Sequence, residues 1–317
     1  MKASVIIPTY KRPECLSDAL SSVIAQDFSK DDYEIVIVDN GAQATPELAV
    51  LCDPAARPSV CYIHEASNGL HHARHAGAKL ARGEILVYID DDVLCPPGWL
   101  TAMMTPYQDQ QVAMVAGKVV LHFEETPPAW LPPFHGLLSA LDWGDTARAV
   151  SPYGTPVGCN MSVRKKVLFE VGGFNPDGFG DRSLIHLRGD GECGLAHKIH
   201  EAGYLVWYAP EAMLEHRVPS TRMTPQYVEW RSAIGGIEDA YTALRYSGGT
   251  LPGLLLRSVH SVAYYFYHRG CTLCPRGMQA HMLHRAAAMR YKYRMIQTLR
   301  QAASGTLREH TARSSSL

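Results

Sequence analysis

The sequence lacks several features that would sort it quickly. Nothing near its start resembles a secretory leader, because one Lys precedes a strand-like run, Ser4-Val5-Ile6-Ile7, and no apolar stretch of signal length ending in small residues follows. The expected location is therefore cytoplasmic. Eight cysteines, at 15, 52, 61, 95, 159, 193, 271 and 274, show no framework spacing and read as reduced thiols. Cys271 and Cys274 form the only C-x-x-C pair. His281 and His284 follow, but without a second Cys pair a plain loop or helix start is expected there rather than zinc. No internal repeat is present. No glycine-rich phosphate loop follows the first strand, where Pro8-Thr9-Tyr10-Lys11-Arg12 stands instead, and this argues against a nucleotidyltransferase. The apolar stretch Leu251–Tyr267 is only 17 residues long and carries Arg257 and His260, a poor transmembrane span that leaves a surface-lying helix open. Acidic residues almost vanish near the end: from Arg257 onward there are ten Lys+Arg and one acid, Glu309, against 20 basic and 30 acidic residues before it. Such a tail suits an anionic membrane surface, an acidic partner, or the acidic remainder of the same chain.

What is present is ordinary globular material, 317 residues with 46% hydrophobic and 19% charged, enough for one large domain and an appendage. Val5–Ile7 and Glu34–Val38 read as β-branched strands around a helix, Glu14–Gln26, which makes a β-α-β unit and implies a parallel sheet. Tyr62–His64 and Glu84–Ile89 continue the strands, with an Ala-rich helix, Gly69–Ala81, between them. Further on, Trp99–Asp109 reads as a helix and Val112–Phe123 as a strand. Residues 124–156, Pro-rich at first, read as an irregular binding loop or lid. Asn160–Val163 is a strand, Lys165–Glu170 a short helix, Gly172–Gly191 a glycine-dense loop, Glu192–Ala202 a helix closed by Gly203, and Leu205–Tyr208 a strand. After Thr224 the pattern is helical, over Gln226–Ser247, Leu251–His268 and Met278–Ala303, with a Ser-rich tail expected to be disordered.

Three features carry chemistry. The apolar run Ile85-Leu86-Val87 to Ile89 stops at Asp90-Asp91-Asp92, so three carboxylates stand at a strand's C-terminal end, the edge where open α/β sheets bind ligands. Adjacent carboxylates there can divide between a hard divalent cation and sugar hydroxyls, and like charges at the end of a core strand repel unless a cation or donors offset them. An acidic turn capping the next helix is the plainer alternative. Asp39 closes the strand Ile35–Val38 ahead of Asn40-Gly41, and either a base-reading or a turn-capping role is open to it. Glu192 begins a helix, a position that favours an ionised carboxylate and hence a general base, or merely a cap.

Together with Asn68-Gly69, Ala73-Arg74-His75-Ala76-Gly77, Arg82-Gly83-Glu84, Gly172-Gly173-Phe174 and Gly191-Glu192 ahead of Ala202-Gly203-Tyr204, these segments resemble the family-2 inverting glycosyltransferases of the GT-A fold, from Lys2 to about Arg222. The resemblance implies a Rossmann-like α/β domain over 1–225, with a nucleotide-sugar half (1–110) and an acceptor half (111–225), and a basic helical region over 226–317. It implies a nucleotide-sugar donor, UDP first among the bases, and a glycan, lipid-linked or small-molecule acceptor. Nucleic acid is not an expected partner. Pro8, Thr9, Tyr10, Arg12, Asp39 and Asn68 would line the nucleotide pocket, with Arg74 near the base or phosphates. Asp90 and Asp91 would hold ribose and sugar, and Asn160 would lie near sugar and acceptor. Asp92 and His216 would hold Mn²⁺ or Mg²⁺ on the diphosphate, assisted by Arg217 or Arg222. Glu192 would be the base, with Asp190 its rival, because the family often has Glu-Asp where Gly191-Glu192 stands. A noncatalytic nucleotide-sugar-binding protein is the other function kept open. Trp130 and Trp143 could stack on sugars or pack in the core. Met282, Ala286, Met289, Tyr293 and Ile296 recur at helical spacing among basic residues, so this last helix would lie on the inner membrane face, pack on its own domain, or form a homodimer.

Overall fold

A computed structural model describes residues 1–10, 12–53, 55–152, 154–179, 182–246, 251–274 and 277–303. The Ser-rich tail lies outside the described residues. The chain opens as β1 (Ala3–Thr9), α1 (Pro13–Ile24), β2 (Tyr33–Asp39), α2 (Pro46–Ala49), β3 (Ser59–His64), α3 (Leu70–Leu80) and β4 (Ile85–Ile89). It continues through β5 (Val93–Leu94), α4 (Trp99–Met104), β6 (Val112–Phe123), β7 (Arg148–Ala149), β8 (Asn160–Arg164), α5 (Lys165–Glu170), α6 (Gly191–Glu201) and β9 (Leu205–Val218). Three long helices close it: α7 (Pro225–Tyr246), α8 (Leu251–Cys271) and α9 (Met278–Ala303).

Among the described residues the strands form one sheet in the order β3-β2-β1-β4-β8-β6-β9-β5, with β7 on β9. β3, β2, β1 and β4 run parallel, whereas β8 pairs with β4 antiparallel. The expected α/β architecture follows from the sequence: β1, β2 and β4 are buried along their whole length, the two-faced burial that a helix-covered parallel sheet demands. From β1 the order runs to β2 on one side and β4 on the other. The C-terminal ends of β1 and β4 therefore flank a switch point, where a crevice opens and ligands bind.

β9 departs from expectation, running ten residues beyond the predicted end at Tyr208. Pro210 reads as a strand terminator, yet beyond it Ala212, Leu214, His216 and Val218 are buried in alternation, the period of a strand with one face inside. α4 is shorter than predicted and gives way to a 3₁₀ turn, Thr105–Gln108. A 3₁₀ turn over Pro132–Leu138 interrupts the long irregular segment.

The chain divides into two compact units. The first comprises Met1–His122, Ser139–Arg182 and Gly191–Arg217, and the second Phe123–Leu138, Ser183–Asp190 and Val218–Leu317. The first carries the sheet and two apolar layers, one around Ile7, Ile37, Val87 and Trp99, the other around Val36, Tyr88, Met161 and Leu195. In the second, α9 packs on both α7 and α8. Gly236 permits the close approach of α7 to α9, since a Cβ there would lie 2.1 Å from the Arg290 carbonyl oxygen. Arg285 pairs with Glu229 at 2.6 Å, and Arg290 forks onto Asp239 with two bonds of 2.7 Å.

Candidate active site

β4 delivers Asp90, Asp91 and Asp92 to the switch point, and the three side chains diverge. Asp91 is fully buried and accepts the Thr9 hydroxyl at 2.7 Å. Arg12 bridges its neighbours, with Nη2 2.5 Å from Asp91 Oδ1 and Nη1 2.8 Å from Asp92 Oδ2. Asp92 also faces His216, whose Nε2 lies 3.3 Å from Oδ1. The extension of β9 explains this meeting, because β5 pairs antiparallel with it and sets Val93 opposite His216. Burial, then repulsion from Asp92, pushes the Asp90 carboxyl upward. Burial likewise pushes Asp91 up to about 7, against the pull of Arg12 and Thr9.

Ligand atoms of Asp90, Asp92 and His216 lie within 4.8 Å of one another, and among the described residues no other His, Cys, Asp and Glu grouping has metal-site geometry. Two carboxylates and an imidazole suit a divalent cation such as Mn²⁺ or Mg²⁺. The crowded, partly desolvated charge gives the cation a physical reason to bind. Cys271 and Cys274 belong to no such group.

Beside these acids a cleft of about 190 Å³ is lined by Pro8, Thr9, Tyr10, Arg12, Asn40, Leu70, Asp90 and Gly178. Five of these are sequence-predicted site residues. Asn40, Leu70 and Gly178 are not. Asn40 donates to the Glu65 and Ser67 carbonyls at 2.8 Å each and accepts from Gly69 N–H, so it ties the end of β2 to the segment bearing Asn68. That segment is only partly buried and is not in the cleft lining.

Glu192 lies in the first turn of α6. Its Oε1 accepts the Gly158 N–H at 3.1 Å, and its Oε2 accepts from Arg74 Nη1 at 3.1 Å. Arg74 is only 2% exposed, reaches Asp177 at 3.7 Å and stacks over the Phe174 ring at 5.2 Å. Burial pulls its pKa down, but Glu192, Asp177 and Asp90 hold it above the usual arginine range, so it stays charged. Arg74 thus offsets the charge of the Glu192 carboxylate it contacts, and it is not among the residues lining the cleft. Gly158 leaves room for it, since a Cβ there would lie 2.0 Å from Arg74 Nη2. Asp177, hidden in sequence within a glycine-dense loop, completes the cluster. A Cβ on Gly191, whose φ is +45°, would meet Asp177 at 2.5 Å, which explains why glycine starts α6.

Other expected site residues have structural work. Both Asp39 oxygens are engaged by their own loop and by β3: Oδ1 accepts Gly41 N–H at 3.0 Å, while Oδ2 accepts Thr45 N–H at 2.7 Å and the Tyr62 hydroxyl at 3.1 Å. Asn160 is fully buried, accepting from Trp99 Nε1 and donating to the Lys118 and Ala212 carbonyls, a clamp between strands. Asp190, the rival base, accepts the Thr242 hydroxyl of α7 at 2.8 Å within the second unit. Arg217 pairs with Asp18 at 2.6 Å. Trp143 packs edge-on against Tyr208, the core role of its two alternatives, and Trp130 packs against Phe134.

Comparison with known proteins finds relatives of this chain and of its fold. The chain is 27% identical over 236 residues to the glucosyl-dolichyl phosphate glucuronosyltransferase of Haloferax volcanii, covering 73% of this chain and 74% of that one. It is 25% identical over 223 residues to the succinoglycan biosynthesis protein ExoM of Rhizobium meliloti, covering 68% and 66%. Its fold is similar to that of a mannosyltransferase, PcManGT from Pyrobaculum calidifontis, solved with GDP-Man and Mn²⁺, at TM-score 0.56, 17% identity, and 96% and 75% coverage. GalNAc-T7 with UDP, GalNAc and Mn²⁺ gives a TM-score of 0.54 at 16% identity, covering 98% of this chain and 58% of that one. These are GT-A architectures. The family model for glycosyl transferase family 2 matches residues 4–172, the stretch that holds the Thr9–Arg12 turn, the three aspartates and Arg74, and the chain belongs to that family.

Proposed function

We propose that this glycosyltransferase moves a sugar, with inversion, from a nucleoside diphosphate sugar, UDP being the base to test first, to a hydroxyl group of a glycan or lipid-linked acceptor. The observation that carries this reading is the shared environment of Glu192 and Asp90: the buried Arg74 interacts with both, so a candidate base and a candidate metal ligand belong to one charged cluster. An acceptor of lipid-linked or polysaccharide class is supported by the names of the Haloferax and Rhizobium relatives.

Asp90, Asp92 and His216 would hold Mn²⁺ or Mg²⁺, which when bound neutralises charge on the departing diphosphate. Thr9, Tyr10 and Arg12 would wall the nucleotide side of the cleft. Arg12 and Thr9 fix the buried Asp91 and its neighbour Asp92 in set orientations beside the cleft. Glu192 accepts the proton of the attacking hydroxyl, and Gly158 N–H and Arg74 hold its carboxylate aimed beforehand. A single displacement from the face opposite the nucleotide inverts the anomeric carbon. Calorimetric titration with UDP, GDP and dTDP, with and without Mn²⁺, tests the donor assignment. Metal-dependent binding of one nucleotide, lost in Asp92→Ala, is the expected result. Absence of binding to all three would favour a degenerate, noncatalytic site.

A further inference from the structure

Helix α8 is amphipathic in the wrong sense for a buried element. Leu256, Val259, Ala263 and Phe266 follow one another at steps of three and four, which puts them on one helix face, with Val262 and Tyr267 beside them. That face is open: Leu256 is 72% and Phe266 66% exposed, and all six residues are exposed. The polar face turns inward instead. Ser261 is buried and bonds the Arg257 carbonyl, His268 Nδ1 lies 2.9 Å from His284 Nδ1 of α9, and Tyr264 and His268 stack against Tyr291 of α9 at 5.1 and 5.8 Å. On α9, by contrast, Met282 is fully buried and Ala286 and Ala288 nearly so, although Met278, Leu283 and Leu299 are exposed. The basic helix that the sequence offered as a membrane-binding element thus uses part of its apolar stripe in packing, and among the described residues the more continuous open apolar face belongs to its neighbour.

The geometry points to α8 as an interfacial helix that lies flat on an anionic membrane surface, with the Leu256–Phe266 stripe in the acyl boundary. Charge selects this occupant. Between Asp239 and Glu309 the chain has no acidic residue, while α8 carries Arg257 and Arg269, the latter exposed at the margin of the stripe. A second copy joined through α8 would set Arg269 against its own image with no carboxylate on either stripe, whereas anionic headgroups complement it, at roughly fivefold in affinity per cation near the surface. The aromatic share fits too, since Phe and Tyr settle where apolar chains meet polar headgroups. No helix among the described residues is long and apolar enough to cross a membrane, which leaves the flat orientation. This inference stands independently of the transferase reading, because vesicle binding does not require turnover.

Co-sedimentation of the full chain tests it, with vesicles of phosphatidylcholine alone or mixed with phosphatidylglycerol. The expected result is binding to the mixed vesicles that weakens with added salt and falls on the order of tenfold or more in Val259→Ser/Phe266→Ser, two exposed positions whose change leaves the melting temperature in place. A second variant, Phe266→Trp, is expected to be quenched by brominated lipid beyond the native protein's five tryptophans. Failure of the intact chain to sediment, equal binding to neutral vesicles, or a dimer in light scattering that the double variant splits while vesicle binding is unchanged would each overturn it.

Discussion

At the scale of single residues, each carboxylate's role follows from what surrounds it. Asp92 sits between Arg12 and His216, so Asp92→Ala is expected to cost both turnover and metal-dependent nucleotide binding by ~10²-fold or more, read by rate and titration. Arg74 is a buried cation between two acids, and Arg74→Met is expected to destabilise the fold by about 3–5 kcal/mol in denaturant unfolding, because it strands Glu192 and Asp177. Adding Glu192→Gln should recover part of that loss, as coupled neighbours do. His75 gives a pH signature. Its Nε2 accepts the Phe174 N–H at 2.9 Å, which only an unprotonated nitrogen can do, and burial first, then neighbouring histidines and lysines, depresses its pKa to about 4. The unfolded chain takes up a proton near pH 6.5 that the folded chain refuses until about 4. Stability from this group is thus complete above 6.5 and is lost as pH falls toward 4. His75→Gln, which keeps an acceptor without titrating, should show a shallower fall in melting temperature across that window. Asp90, Asp91 and Asp92 stand where the sequence pattern ends a core strand, whereas Thr9, Arg12, Arg74, Asn160 and His216 were marked by the family resemblance. The contacts of Arg74, Asn160 and Asp177 did not show in sequence, since their partners lie 40 to 120 residues away and only the folded core brings them together.

At the scale of elements, periodicity carried most of the reading. Strands β1, β2 and β4 were visible as β-branched runs bounded by polar turns. β9 was visible only in part, because Pro210 masks the alternation that continues to Val218 and brings His216 opposite β5. Helix α7 supplies a test of packing. Gly236→Val would drive its side chain into the Arg290 carbonyl oxygen, for an expected loss of roughly 1–3 kcal/mol in thermal or denaturant unfolding. Gly235→Ala next to it meets Arg290 only at 3.5 Å and is expected to be neutral or mildly stabilising, since Ala favours helix over Gly by ~1 kcal/mol.

At the scale of the whole molecule, charge is divided along the chain: Asp90, Asp91, Asp92 and Glu192 stand in the sheet-bearing unit, and after Asp239 the sequence brings cations with no acid before Glu309. Carboxylates that a cation would join to an anionic donor, and an exposed Arg269 beside an apolar stripe, match the two proposals above. The sheet was legible from its strands. A surface-lying helix over Leu251–Tyr267 was open from the sequence, but which face of it turns outward was not, because exposure depends on which helix faces are used in packing. The most direct test of the central claim is consumption of a nucleotide-sugar donor by the native chain and by Glu192→Gln, with nucleotide binding measured on the same samples in Mn²⁺. Turnover that falls by ~10²–10⁴ in Glu192→Gln while nucleotide affinity is unchanged is the predicted result, and equal turnover in the two proteins would contradict it.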